Sequence, residues 1–403
     1  MEKWIKSKLY GMWIMAVLFF AVLSLTAMIM GLAVEATAQL MLIPWEADGM
    51  QDDASVERAA NPEKTTAAYH GMGRQEQDSV IIRRESAQAG SLRMMFAGDT
   101  MMTGNVARMM DLHGVEYPLS EIGGLLQEAD LLVMNLETAV GESGILMDKP
   151  FAFQTLPQNM EMLLPYRDNL VLTLANNHGM DAPLAETMRH LDEMGFHYVG
   201  IGKNERDAYA PFVREINGVS VAVFGASQVI PTIQWRAGEN SPGMAAAYSC
   251  EPLLTYIKEW VDRVDYVVAY IHWGQELADH PTRNQRRLEK ALKEAGVHLI
   301  IGSHPHVWQG LEWTGGKQMT AHSLGNFVFT TSHTPLANET GILEVLVDRN
   351  TIQHVQIHPA LIRMGKVVPR ELSEARGFYG RLNRLGESTR ITENGSVLRI
   401  RED

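Results

Sequence analysis

With 403 residues the chain has room for one large domain or two ordinary ones, and an apolar share of 46% is that of a protein with a buried core. A formal charge of −13 argues against a nucleic-acid partner, because phosphate binding needs a basic face; any anionic ligand is left to local cations or a metal. A single cysteine, Cys250, excludes an internal disulfide and a Cys-rich zinc site.

Leu9 to Val34 is a run of 26 residues without a charged side chain, preceded by Lys3, Lys6 and Lys8. About 20 apolar residues span a bilayer, and the lysines favour a cytoplasmic N-terminus. The expectation is a single-pass anchor at 9–34, residues 1–8 in the cytoplasm and the rest outside it. A cleaved signal peptide ending near Ala36-Thr37-Ala38 is the alternative. Residues 35–90 are polar and charge-rich, and are expected to be a disordered extracytoplasmic spacer.

Regular patterning starts at Ser91. Buried strands are expected at Arg93–Ala97, Asp130–Met134, Leu170–Leu174, His197–Gly200, Val219–Gly225, Asp265–Ile271 and Val297–Ile301. Helices are expected at Pro183–Met194, stopped by Gly195, and at Arg283–Ala295, with Gly296 just beyond. Strands alternating with helices predict an α/β sheet. After Gln318 the pattern is strands alone (Gln318–His322, Phe327–Thr330, Ile342–Val347, Ile352–His358), which predicts a second sheet packed on the first. The domain is expected at 91–369, with 370–403 as a charged tail.

Polar clusters follow the apolar strands. They are Gly98-Asp99, Asn135-Leu136-Glu137, Asn176-Asn177-His178, His272-Trp273-Gly274-Gln275-Glu276 and Ser303-His304-Pro305-His306. Open α/β sheets assemble sites at the carboxyl ends of their strands. Carboxylate, amide oxygen and imidazole together suit a divalent metal. Asp99 alone also reads as a turn residue, and Glu137 also reads as a cap. Asp181, three residues after His178, is placed to fix one tautomer of that imidazole. In Gly302-Ser303-His304-Pro305-His306, Pro305 stiffens the spacing of the two histidines and Gly302 lets the backbone approach an ion. Asn135, Lys149 and Arg283 are candidate substrate contacts; a solvated surface role for Lys149 and Arg283 is the alternative.

These motifs, together with Ser323-Leu324-Gly325-Asn326-Phe327, resemble the bacterial capsule-synthesis CapA family, which includes PgsA-type components of poly-γ-glutamate synthesis, from about Leu92 to Pro369. The resemblance implies an α/β, four-layer α/β/β/α sandwich like that of calcineurin-like metallophosphoesterases. It implies one or two divalent ions (Mn, Fe or Zn). Asp99 and His306 would hold the first, Asn177, His272 and His304 the second, and Glu137 would bridge. His178, with Asp181, would take the general-acid or phosphate-contacting place. Two departures stand out. Met101 occupies the position where the phosphoesterases carry a histidine, and the bridging carboxylate is Glu137 after Asn135-Leu136 rather than an Asp after Gly. The resemblance also implies a cell-membrane location, polymer-synthase membrane subunits as partners and an anionic polymer as ligand. A polymer-binding or transport subunit without catalysis, or an exported phosphoesterase, are the alternative functions.

Overall fold

A computed structural model of the protein describes residues 90–400. The expected anchor at 9–34 and nearly all of the spacer lie outside the described residues. Among those described, no helix is long and apolar enough to cross a membrane.

Two sheets carry the domain. The first contains strands β1 (Ser91–Thr100), β2 (Leu131–Leu136), β3 (Leu170–Thr173) and β4 (His197–Val199). The second contains β5 (Phe212–Ile216), β6 (Val219–Ser227), β7 (Tyr266–His272), β8 (Leu299–Ser303), β9 (Leu311–Gly315) and β10 (Gln318–Ala321). The chain then returns to the first sheet with β11 (Asn326–Val328), β12 (Glu339–Asp348), β13 (Ile352–Arg363) and β14 (Lys366–Pro369). The first sheet runs β14-β13-β12-β1-β2-β3-β4, with β11 also paired to β1; the second runs β9-β10-β8-β7-β6-β5. The late strands therefore do not make a second sheet of their own. β10 extends the second sheet and the others complete the first, because strand partners are chosen across the whole chain and not by local pattern.

β1 to β4 are mutually parallel, as are β6, β7, β8 and β10. Two-residue periodicity sorts their side chains. Leu92, Met94 and Phe96 of β1 join Val221, Val223, Tyr266, Val268 and Ile301 of the second sheet in one core. Met95 and Ala97 point the other way, onto helices α1 (Gly104–His113) and α2 (Leu184–Met194). The outer face of the second sheet packs on α3 (Leu253–Lys258) and α4 (Arg283–Glu294). The layers are thus helices, sheet, sheet, helices. α2 buries Leu184, Met188 and Leu191, one face of a 3.6-residue repeat, and stops at Gly195, whose φ of 73° is left-handed. α4 starts with a capping box: Thr282 accepts from the Gln285 N–H, and the Gln285 side chain accepts from that of Thr282.

Residues 370–400 are not a loose tail. α5 (Arg376–Leu385) buries Phe378, Tyr379, Leu382 and Leu385 in the inter-sheet core, and Trp308 meets Phe378 edge-on at 5.4 Å. A hairpin of Thr389–Ile391 and Val397–Arg399 follows. Each fully buried aromatic or leucine contributes roughly 1.5–3 kcal/mol, so this segment belongs to the domain energetically.

Candidate metal centre

The carboxyl ends of the parallel strands from both sheets meet at one place. Asp99 leaves β1 just after a register shift against β2, and its N–H donates to the Gly325 carbonyl at 2.9 Å. A Cβ on Gly98 would fall on that same carbonyl oxygen, so only glycine lets the strand and the 323–326 turn touch. Asn135 faces Asp99 in register, and Glu137 follows at the end of β2. Asn176, Asn177 and His178 follow β3, His272 ends β7, and His304 and His306 follow β8.

Asn135 is the scaffold of the first-sheet half. Its amide nitrogen donates to Asp99 Oδ1 at 2.8 Å and lies 3.4 Å from His272 Nδ1. Its oxygen accepts from Asn176 at 3.0 Å and from Thr173 at 3.2 Å. A fully buried amide so engaged positions its neighbours and is closed to a substrate. In the second-sheet half, His272 sits 2.9 Å from Ser303 Oγ and 2.6 Å from Asn177 Oδ1. His304 and His306 have φ of 93° and 58°, left-handed values that L side chains adopt at a cost of order 1–3 kcal/mol. His306 Nδ1 lies 2.8 Å from Asn326 Oδ1 and 3.3 Å from Asp99 Oδ2.

Ligand atoms of Asp99, Glu137 and His272 lie within 4.8 Å of one another, and so do those of Glu137, His304 and His306. Glu137 is common to both groups. The groups overlap the two sets implied by the family resemblance: His306 also lies 3.3 Å from Asp99, and His272 2.6 Å from Asn177. Both Glu137 oxygens and His304 Nδ1 are buried without a hydrogen-bond partner. Each such orphan costs about 1–3 kcal/mol unless something binds it. Burial and the nearby Asp99 push the Glu137 carboxyl well above its usual range. Burial holds His272 well below its ordinary value and, with His306 adding to it, His304 down to about 4; these are neutral imidazoles fit to coordinate. Burial also works against charge on His306, yet Glu137 and Asp99 push it up to about 10. Crowded carboxylates, neutral imidazoles and orphaned donor atoms fit one or two divalent cations.

His178 stands beside this centre. Its Nδ1 is 2.7 Å from Asp181 Oδ2, and its N–H donates to Asn176 Oδ1 at 2.9 Å. Lys149 reaches the same corner, whereas Arg283 is exposed at the start of α4 with no ion pair among the described residues. Met101 is buried and turns no imidazole toward Asp99. Gly302 serves a close approach of another kind: a Cβ there would strike the His322 carbonyl and the Trp273 indole, not an ion. Asn326, Ser303 and Phe153, whose ring lies 4.7 Å from that of His178, had no role in the sequence reading. Ser303 and Asn326 left a signal, in the polar cluster Ser303-His304-Pro305-His306 after one buried strand and the pair Gly325-Asn326 ahead of another.

One more cluster, Glu289, Glu312 and His322, has ligand-like spacing. There the Arg286 guanidinium contacts both carboxylates and Lys293 Nζ lies 2.7 Å from Glu289, so the negative charge is already answered.

The fold and centre define a two-sheet α/β protein with a buried carboxylate–imidazole cluster spaced as a candidate cation site. The chain belongs to the bacterial capsule synthesis protein family PGA_cap, whose pattern matches residues 93–331. It is 28% identical over 284 residues to the PGA biosynthesis protein CapA of Bacillus subtilis, covering 69% of this chain and 73% of that one. It is also 28% identical over 293 residues to the capsule biosynthesis protein CapA of Bacillus anthracis, covering 69% of each. Solved structures with some likeness include a phosphatase from Mycoplasma pneumoniae (12% identity, 73% of this chain and 100% of that one, TM-score 0.34). Another is the NAD nucleotidase of Haemophilus influenzae (8% identity, 74% and 57%, TM-score 0.35). Likeness that remote assigns no chemistry.

Proposed function

We propose that this protein is a membrane-anchored, extracytoplasmic component of capsule or poly-γ-glutamate biosynthesis and export, built on a metallophosphoesterase-like sandwich with a divalent-metal centre. The observation that carries the metal is Glu137, a buried carboxylate with neither oxygen bonded and two ligand groups sharing it. Membership of the capsule-synthesis family supports the polymer. The uncharged run at 9–34 supports the anchor.

Asp99, Glu137, His272, His304 and His306 would hold the cation, with Asn177 beside His272. When bound, it would supply Lewis acidity toward a phosphoryl or acyl oxygen. The chain's own contribution is positional. Asn135 orients Asp99 and His272, and Asp181 holds His178 through Nδ1, which leaves Nε2 to carry or receive a proton at the reacting group. The second reading is a polymer-gripping subunit that turns nothing over. Buried Met101 favours it, because a thioether is a poor ligand for a hard ion.

Elemental analysis of the full-length protein in detergent tests the centre, with bound metal near one or two equivalents expected and its absence refuting it. Hydrolysis of bis-p-nitrophenyl phosphate or of γ-linked glutamate polymer by that sample separates the readings: turnover supports the first, and metal with polymer binding but no turnover supports the second.

A further inference from the structure

Lys149 is expected from sequence to meet a substrate carboxylate, but its ammonium is engaged inside the protein. Nζ lies 2.5 Å from Asp181 Oδ1, donates to the Asn177 carbonyl at 2.5 Å, and is 3.4 Å from His178 Nδ1. The Trp235 ring closes over it at 5.2 Å. Its partner Asp181 is fully buried and holds the same segment at two more points. The Phe153 N–H donates to Asp181 Oδ2 at 2.7 Å, and the Met147 N–H to the Asp181 carbonyl at 2.8 Å. So one aspartate binds three positions of residues 147–153 and, on the same carboxylate, the His178 ring. A buried carboxylate needs a compensating cation, and Lys149 is the cation in contact with it.

We propose that Lys149 is a positioning residue that acts through Asp181: it holds the strap 144–153 against His178 and so sets one wall of the metal centre. Its functional meaning rests on the reading of that centre given above, while its structural content rests on Lys149 and Asp181 alone. A lysine kept for substrate carboxylates would have its donors open to solvent. This one has them committed, and the strap turns Ile145, Leu146 and Phe151 outward instead.

The test uses full-length protein in detergent with Lys149→Met and Lys149→Arg. Backbone hydrogen exchange is read over 144–153, and diethyl pyrocarbonate modification is read at His178. The methionine variant should exchange about tenfold faster between Met147 and Phe153, which is the behaviour of a segment that opens locally. His178 should be modified several-fold faster, and arginine should restore much of both. Unchanged exchange and modification in Lys149→Met, with weaker binding of a γ-linked glutamate oligomer, would overturn the proposal in favour of a direct contact. Should the methionine variant fail to fold, Lys149→Gln, which keeps hydrogen-bond donors and loses charge, takes its place with the same two outcomes. Metal content of the wild-type sample is measured alongside. A metal-free wild type with a strap still loosened by Lys149→Met sinks the centre and supports the strap.

Discussion

The two halves of the centre are held by different means. The first-sheet half follows parallel strands: Asn135 and Asn176 hold Asp99 through a chain of buried amide hydrogen bonds, while Glu137 beside them has neither carboxylate oxygen bonded. The second-sheet half, His272, His304 and His306, is imidazole-rich; His304 and His306 sit on left-handed backbone, and the His304 ring has Nδ1 unbonded while Asn326 holds that of His306. Asp99 is fixed by the Asn135 amide beside its neighbour carboxylate, and Glu137 is left unbonded between the two ligand groups. An imidazole can be aimed by the backbone alone. The comparison teaches that this centre is set by amide hydrogen bonds at Asp99 and by left-handed backbone at His304 and His306.

The sharpest break is Glu137→Ala, which deletes the one ligand common to both groups. Nearly all tightly bound metal should be lost while the circular-dichroism spectrum persists, as elemental analysis of the purified variant will read. Next comes the scaffold. Asn135→Ala should weaken metal affinity by roughly 10–100-fold, the usual cost of losing a residue that orients ligands. Ser303→Ala, which removes a single contact to His272, should cost less, and competition with a graded chelator compares the two. The strain is tested by pairing His304→Gly with His304→Ala. Both lose the ligand, but glycine accepts a φ of 93°, so its variant should be about 1 kcal/mol more stable in urea melts. Equal stability would mean the backbone there is relaxed.

The effect with the least bearing on metal lies outside the centre and serves as its control. Burial raises the Glu289 carboxyl, yet His322 and Lys293 outweigh it and hold it down to about 2 from 4.5. A depressed carboxylate stabilises the fold fully above its unfolded pKa, and that stability fades as pH falls from 4.5 toward 2. Glu289→Gln should remove this acid-side dependence, on the order of 2 kcal/mol, with metal content unchanged. Melting curves between pH 2 and 6 read it.

Much of both parallel sheet cores was legible because their strands are continuous apolar runs that end abruptly in polar residues: Leu170–Thr173 of the first sheet and Tyr266–His272 of the second differ by a residue or two from the expected spans. α2 and α4 announced themselves by spacing, with Gly195 and Gly296 as stops. What stayed hidden was non-local. The pairing of Ile342–Val347 with Ile352–His358 is local, but nothing in it says that its other edge takes β1. The C-terminal helix was masked by Arg376, Arg381 and Arg384, although Phe378, Leu382 and Leu385 already carry its buried stripe. At the site, residue types were readable and their employment was not. Asn135 and Lys149 looked available for a substrate, but each is consumed by partners distant in sequence.

Because the anionic half belongs to one sheet and the imidazole half to the other, an ion gripped by both would act as a rivet through the seam between the two β layers. Chelation would then do more than empty a pocket. It would withdraw a fastener, letting the layers shear while each keeps its own ladder of backbone bonds.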